Sequence, residues 1–282
     1  MKNRYILGII GAGNMAEALI RGLLRSNLVR SYEMLASART LRRIKFLEKT
    51  YGVHTTRDNK SVISACDTII LSIKPQDMRT VGEEIKSCLS KNHLLISIAA
   101  GIDFAKLREI CGPSPKLIRV MPNLPVVIDE GISAIYCGPR ISERYRRFAH
   151  QIFQAVGNTV DIKNEKLMDV ITGLSGTGPA YFFALMEALE CAGTKLGLDP
   201  QISKMLTLQT AVGAAKMVKQ TGATPKQLRE RVTSKKGTTQ AAMNHFKKKQ
   251  FWKIVEEAVE AATGRAKELC GEVKKPRPQN RR

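Results

Sequence analysis

Three short stretches of this chain combine residue types and spacings that suit chemistry. The first is Gly11-Ala12-Gly13-Asn14-Met15-Ala16, a G-x-G-x-x-A pattern. Gly11 permits a tight turn, Gly13 lets the backbone approach a pyrophosphate, and the small Ala16 lets a following helix lie close on a sheet. Free N–H groups at the start of that helix then hold the anion. A glycine turn without chemical consequence is the plain alternative; a strand before, a helix after and a second strand roughly 20–30 residues on favour dinucleotide binding. The second stretch bears on which dinucleotide. NAD sites place an acid near the end of the second strand, where it accepts from the ribose 2′-OH. Here Met34-Leu35-Ala36-Ser37-Ala38-Arg39-Thr40 holds no acid, and Arg42 and Arg43 follow. A guanidinium beside hydroxyls suits a 2′-phosphate, so NADPH is expected over a weaker NADH; a merely solvated basic helix start is the other reading. The third stretch, Ser175-Gly176-Thr177-Gly178-Pro179, looks like a phosphate loop but lacks the lysine of a P-loop, and its small residues suit close helix packing.

These residues need elements to hold them. Apolar runs of strand length fall at 5–10, 33–37, 68–73, 94–98 and 116–120, with helical patterns such as 14–26 and 41–51 between them. Short buried strands alternating with helices mean βαβ units and a parallel sheet. Pro122, Pro125 and Gly131 break the alternation; a strand at 132–137, a helix at 142–155 and a last strand at 159–162 follow. From about Asn164 strand-like runs vanish, and helices are expected at 180–196, 204–219 and 251–269, with Pro200 and Pro225 near helix starts, where a missing N–H costs nothing. The expected architecture is an α/β, doubly wound parallel-sheet (Rossmann-type) domain at 1–163 and an all-α domain at 164–272. The tail 273–282 has almost nothing apolar to bury and is expected to be disordered. The helical half carries Ala, Leu and Met on several faces, which predicts burial against another chain.

Composition sets the remaining bounds. The 282 residues carry 46 Lys+Arg against 25 Asp+Glu, a net charge of +21, and +16 remains without the last ten residues. Such a field favours anionic small molecules, nucleic acid or an acidic surface without choosing among them. A nucleic-acid reader gathers its basic residues on one face, with aromatics if it takes single strands; here they are scattered, aromatics are 5%, and Trp252 is the single tryptophan. Nucleic acid is therefore not the expected partner. No apolar run approaches the ~18–20 residues of a membrane span. The start of the chain superficially imitates a signal peptide, but Asn14, Glu17 and Arg21 interrupt it on a helical period. Cys66, Cys88, Cys111, Cys137, Cys191 and Cys270 form no C-x-x-C pair, and the four histidines have no metal-ligand spacing. No metal is expected, the thiols read as buried apolar residues, and the compartment as a reducing cytoplasm.

Taken together, 8–24, Ser72-Ile73-Lys74-Pro75-Gln76, Ser97-Ile98-Ala99-Ala100-Gly101 and Arg119-Val120-Met121-Pro122-Asn123-Leu124-Pro125 resemble the pyrroline-5-carboxylate reductase family. The resemblance continues through Thr172-Gly173-Leu174-Ser175-Gly176-Thr177-Gly178-Pro179-Ala180-Tyr181 and 225–243, and spans 4–271. It implies NADPH-dependent reduction of 1-pyrroline-5-carboxylate to L-proline, by a homodimer or a multiple of dimers whose helical domains interlock. The active site would form between the nucleotide domain of one subunit and the helical domain of another. Gly11, Ala12, Gly13, Asn14, Met15, Ser37, Ala38 and Arg39 would contact the cofactor. Asn59, Ser72, Ile73, Lys74 and Pro75 would line its adenosine and ribose side, and Ala99 and Ala100 would lie near the nicotinamide. Glu165, Ser234, Gly237, Thr238 and Thr239 would meet the substrate: the amides of Thr238 and Thr239 hold the carboxylate as a nest, and the Thr239 hydroxyl serves the ring nitrogen as the catalytic group.

Blander roles stand beside these. The two threonines also suit ordinary capping of the next helix, Glu165 a solvated helix start, and Lys74 a backbone role next to Pro75 rather than a catalytic acid. Lys247-Lys248-Lys249 suits a solvated face. One departure stands out. Where the family usually has Ser-Pro-Gly-Gly-Thr-Thr, this chain has Ser234-Lys235-Lys236-Gly237-Thr238-Thr239. A left-handed Lys236 would cost ~1 kcal/mol relative to glycine, although Gly237 is expected to absorb the sharpest turn. Reduction of another cyclic imino acid, and a non-catalytic NADP-binding regulatory role, are the alternatives.

Overall fold

A computed structural model describes residues 5–139 and 141–272. The tail 273–282, expected to be disordered, lies outside the described residues. Two compact units emerge, Met1–Thr177 with Ala261–Arg282, and Gly178–Glu260.

The first unit is built on an eight-stranded sheet in the order β3-β2-β1-β4-β5-β6-β7-β8. Its strands are β1 (Tyr5–Ile10), β2 (Met34–Ser37), β3 (His54–Thr56), β4 (Cys66–Leu71), β5 (Leu94–Ser97), β6 (Lys116–Met121), β7 (Gly131–Cys137) and β8 (Gly157–Asp161). Its helices include α1 (Asn14–Arg25), α2 (Leu41–Tyr51), α3 (Asn59–Ala65), α4 (Met78–Ile85), α5 (Phe104–Cys111), α6 (Glu143–Gln154) and the short α7 (Leu167–Ile171). Successive side chains of a strand point to opposite faces. Thus Leu94 and Ile96 of β5 join the core on one side with Leu7, Ile9, Ile118 and Phe153. Leu95 joins the other side with Ile69, Leu71, Leu117 and Leu107. Burial on both faces is why these strands read as unbroken apolar runs rather than alternations. The first helix shows the matching periodicity: Ala16, Leu19, Ile20 and Leu23 are buried, at positions i, i+3, i+4 and i+7.

Two features of the sheet were not expected. β7 runs antiparallel to β6, and β8 is parallel to β7, so the last two strands oppose the rest. The reversal falls where Pro122 and Pro125 replace a crossover helix with a 3₁₀ turn at Leu124–Ile128. β3 is the other: it has only three residues, partly exposed, that pair with the end of β2.

The second unit holds α8 (Gly178–Lys195), α9 (Pro200–Thr221), α10 (Pro225–Arg231), α11 (Thr238–Lys248) and the first part of α12 (Phe251–Glu272). Asp199 accepts from the Gln201 and Ile202 amides and Pro200 opens α9; Thr224, Pro225 and Gln227 form a capping box on α10. α8 and α9 approach closely because Gly193 faces Ser203, where a Cβ would stand 2.3 Å from the hydroxyl. Few apolar side chains are covered within this unit: Phe182, Met205 and Leu206 are 65%, 64% and 51% exposed. The units divide after Thr177 and within α12, whereas the strand-like runs end near Asn164. The later division follows from packing: Gly101, at φ +70°, leaves room for Ala266 of α12, whose carbonyl would stand 2.5 Å from any Cβ there.

Candidate functional site

At the carboxyl ends of β1, β2 and β4 lies a cleft of about 720 Å³. Its floor is the turn between β1 and α1. Gly11 takes φ +90°, and a Cβ there would stand 2.4 Å from Ile73 Cγ2 and 2.6 Å from the Ser72 carbonyl, so no other residue fits. A Cβ on Gly13 would meet nothing within 4 Å, so this backbone faces open space. The Gly11 and Ala12 amides donate to the Ser37 carbonyl at 3.2 and 2.9 Å, and the Ser72 amide donates to the Ile10 carbonyl at 2.8 Å. No side chain caps α1, whose first N–H groups are thus left for an anion.

Arg43 braces this turn through its carbonyls. Its Nε donates to the Ala12 carbonyl at 2.6 Å and a terminal nitrogen to the Gly13 carbonyl at 3.0 Å. The same guanidinium pairs with Glu17 at 2.6 Å and lies over the Phe46 ring. Glu17 also accepts from the Tyr51 hydroxyl at 2.9 Å; burial, then this bond, pushes the Tyr51 pKa up. Beside the end of β2, the Ser37 hydroxyl donates to Asn59 Oδ1 at 2.6 Å, and Asn59 Nδ2 donates to Glu84 at 2.9 Å.

Of the residues expected at the cofactor, Gly11, Ala12, Gly13, Asn14, Ser37, Ala38, Arg39, Asn59, Ser72, Ile73 and Lys74 line this one cleft. Met15, Pro75, Ala99 and Ala100 are not among its walls; Ala99 is buried just beyond β5. Thr40, Arg43, Arg57, Asp77, Thr80, Val81 and Glu84 line it without having been singled out as cofactor residues. Apart from Thr40 and Arg43, noted beside the second strand, these come from segments whose proximity only the sheet order creates.

The residues expected at the substrate separate between the two units. Glu165 lies in the first, where its Oε1 accepts from Arg119 and from the Phe104 amide, both at 2.7 Å. Arg119 is 5% exposed, so this charge-assisted bond satisfies a buried cation. Nearby, burial pushes the Asp169 carboxyl up, against the pull of Arg119 and Lys267. Ser234, Gly237, Thr238 and Thr239 gather in the second unit at the start of α11. Here an expectation is corrected. Gly237 has φ −82° and ψ 171°, ordinary extended backbone, while Lys236 takes the left-handed turn at φ +61°. The Lys236 amide donates to Gln240 at 2.6 Å, and the Gly237 amide to the Ser234 carbonyl at 3.0 Å. Glycine at 237 answers a need for space, since a Cβ would stand 2.3 Å from the Ser234 hydroxyl. No side chain caps α11, which leaves its first amides facing out.

The segment that resembles a phosphate loop, Ser175–Pro179, spans the end of a π-helical turn at Thr172–Gly176 and the start of α8, and Gly176 leaves room for Met121: a Cβ would stand 2.5 Å from Met121 Cε. Among the described residues there is no cluster suited to a metal ion. Burial pushes the Cys66 thiol up to about 12 and the Cys111 and Cys137 thiols up to about 11, so these are inert packing residues. Cys191, expected to be buried like the rest, is exposed on α8.

The fold and the cleft define a Rossmann-type dinucleotide-binding protein with an added helical unit. Comparison with known proteins narrows this class. A family model for pyrroline-5-carboxylate reductase dimerisation matches residues 165–269, and one described as NADP oxidoreductase, coenzyme F420-dependent, matches 6–101. The pyrroline-5-carboxylate reductase of Pseudomonas aeruginosa is 38% identical over 94% of this chain and 96% of its own. Among solved structures, a pyrroline-5-carboxylate reductase from Coxiella burnetii matches with TM-score 0.86 at 34% identity, over 95% of this chain and 99% of that one. The Plasmodium falciparum pyrroline carboxylate reductase with NADP bound matches with TM-score 0.85 at 31% identity, over the same shares. The chain belongs to the pyrroline-5-carboxylate reductase family.

Proposed function

We propose that the protein reduces 1-pyrroline-5-carboxylate to L-proline with NADPH. The observation that carries this reading is the cleft behind Gly11 and Gly13, in a chain aligned almost end to end with pyrroline-5-carboxylate reductases. The cleft fits the cofactor: open space in front of Gly13 admits a pyrophosphate, free amides open α1, no acid follows β2 in the chain, and Arg39, Arg43 and Arg57 line the cleft beside Asp77 and Glu84. Gly11, Ala12, Gly13 and Asn14 would hold the phosphates, with Ser37, Ala38, Arg39 and Asn59 at the ribose, Ser72, Ile73 and Lys74 along the far wall, and Met15, Pro75, Ala99 and Ala100 completing the surround. When bound, NADPH supplies a hydride.

The protein's own work is to fix two rings and one carboxylate, because a protonated imine carbon is already electrophilic. In our reading the Thr238 and Thr239 amides hold the substrate carboxylate, with Ser234 and Gly237 shaping the turn. The Thr239 hydroxyl donates to or accepts from the ring nitrogen. Glu165 contributes through Arg119 and the Phe104 amide, both bound to its Oε1, while Oε2 remains for the substrate.

Self-association follows from the exposed apolar side chains of α8 and α9 and from the matching dimerisation model. We read the assembly as an interlocked homodimer, or a multiple of it, in which each substrate site is completed by a second copy of the chain. No helix of the described residues is long and apolar enough to cross a membrane; a cytoplasmic location is our reading of the free thiols. The test is NADPH oxidation on adding pyrroline-5-carboxylate, with proline identified as product and NADH run beside it. Nucleotide binding without turnover would instead support the regulatory alternative.

A further inference from the structure

We infer that Arg57, one residue past β3, is the principal reader of the cofactor's 2′-phosphate. The inference rests on the NADPH reading above and deepens it. The ribose 2′ position of a Rossmann site lies beside the end of the second strand, here Ser37. β3 pairs with β2 in parallel, Ser37 opposite Thr56, and the Ala38 amide donates to the Thr56 carbonyl at 3.1 Å. The ladder therefore carries Arg57 alongside Ala38, at the edge of the cleft it lines.

The other cations there are either engaged or on the far wall. Arg43, though it lines the cleft, is held by the Ala12 and Gly13 carbonyls and by Glu17. Arg39 shares its charge with Asp77 at 3.5 Å. Lys74 lies on the opposite wall, in the segment after β4. Arg57 is exposed and has no ion pair or hydrogen bond from its guanidinium to any described residue, so meeting a phosphate breaks nothing. Its neighbours add a reason. Among the described residues, Glu84 keeps its charge beside the Asn59 amide, which only hydrogen-bonds it, and Asp77 pairs with Arg39. A second, free guanidinium is what lets a dianion settle among those carboxylates, and a planar fork binds phosphate oxygens two at a time.

The test measures binding by calorimetry on the full chain, using adenosine 2′,5′-bisphosphate and 5′-AMP, which differ by the 2′-phosphate alone. Arg57→Ala should weaken the bisphosphate about tenfold, the scale of one hydrogen-bonded charge, and leave 5′-AMP within about twofold. Arg57→Lys should restore part of the loss, and Arg39→Ala should cost less than Arg57→Ala. Arg57 is exposed, so an unchanged unfolding midpoint is expected to exclude misfolding. An unaltered bisphosphate-to-AMP ratio in Arg57→Ala, or a ratio that collapses only in Arg39→Ala, overturns the inference. Failure of the reductase reading would look different: the Arg57-dependent ratio would persist while pyrroline-5-carboxylate went unreduced.

Discussion

Replacing Lys236 by glycine puts two opposed physical effects in one measurement. The residue sits at φ +61°, immediately before the turn proposed to hold the substrate carboxylate. A non-glycine residue there carries roughly 1–2 kcal/mol of strain, and glycine gives back roughly 0.5–1 kcal/mol through its larger unfolded-state freedom. Lys236→Gly should therefore gain on the order of 0.5–1 kcal/mol in stability, an unfolding midpoint higher by roughly 1–3 °C. The charge works the other way. An ammonium about 6 Å from a carboxylate in water contributes about 0.7 kcal/mol, near threefold in affinity. The KM for pyrroline-5-carboxylate should rise about threefold at low ionic strength, and the difference should fade near 1 M salt, where the screening length is about 3 Å. The KM for NADPH should not move. Lys236→Ala separates the effects: it loses the charge but keeps the strained backbone, so it should share the KM rise without the gain in midpoint. A glycine variant whose substrate KM falls, or rises equally at all salt concentrations, would refute the electrostatic reasoning and leave the lysine a solvated passenger.

Three further outcomes follow from the geometry. Gly11→Ala should unfold the first unit or cost more than about 2 kcal/mol by calorimetry, because its Cβ meets Ile73 and the Ser72 carbonyl at φ +90°. Gly13→Ala has open space, so it should fold normally and lose nucleotide affinity instead; a stable Gly11→Ala would contradict the first half, and a Gly13→Ala of unchanged affinity the second. Lys106 and then Arg79 hold the Glu109 carboxyl down to about 2 from an ordinary 4.5. Its contribution to stability is thus complete above about 4.5 and is lost as pH falls toward 2, so Glu109→Gln should be less stable than wild type at neutral pH, lack the fall in stability between about 4.5 and 2, and converge with wild type below that window. Phe182→Glu combined with Leu206→Glu should shift sedimentation toward monomer and abolish activity; an active monomer would remove the argument for a site completed by a second copy.

Much of this could be read along the chain, for a definite reason. β1, α2 and the glycine turn are local: a run buried on both faces, a 3.6 period and a φ that only glycine tolerates each leave a signature within a few residues. β4 starts at Cys66, paired with Tyr5, rather than at 68, where the apolar run begins after the exposed Asp67, and it ends at Leu71 because Ser72 and Ile73 turn aside to wall the cleft. β3 was invisible: His54, Thr55 and Thr56 have no apolar pattern and are a strand only because β2 lends them partners. Arg57 stayed hidden with it. The direction of β7 depends on a connection, not on its composition, which alternates the same way up or down. At the substrate turn the types and spacing were legible, but which residue takes the left-handed position was not, since a lysine pays for a conformation the neighbouring glycine was free to adopt.

The brace that Arg43 places on the carbonyls of the glycine turn bears on how nucleotide binding is timed and ordered. Because the Ala12 and Gly13 carbonyls are held by this side chain, their peptide planes cannot rotate to present oxygens toward the phosphates. The turn gives up its freedom when the protein folds, so an arriving nucleotide has little backbone left to freeze. Association should then be limited by diffusion and steering rather than by waiting for a rare open shape of the loop. A chain lacking this arginine would keep the glycine turn and the α1 amides, yet bind the nucleotide with a larger entropic penalty and a slower approach.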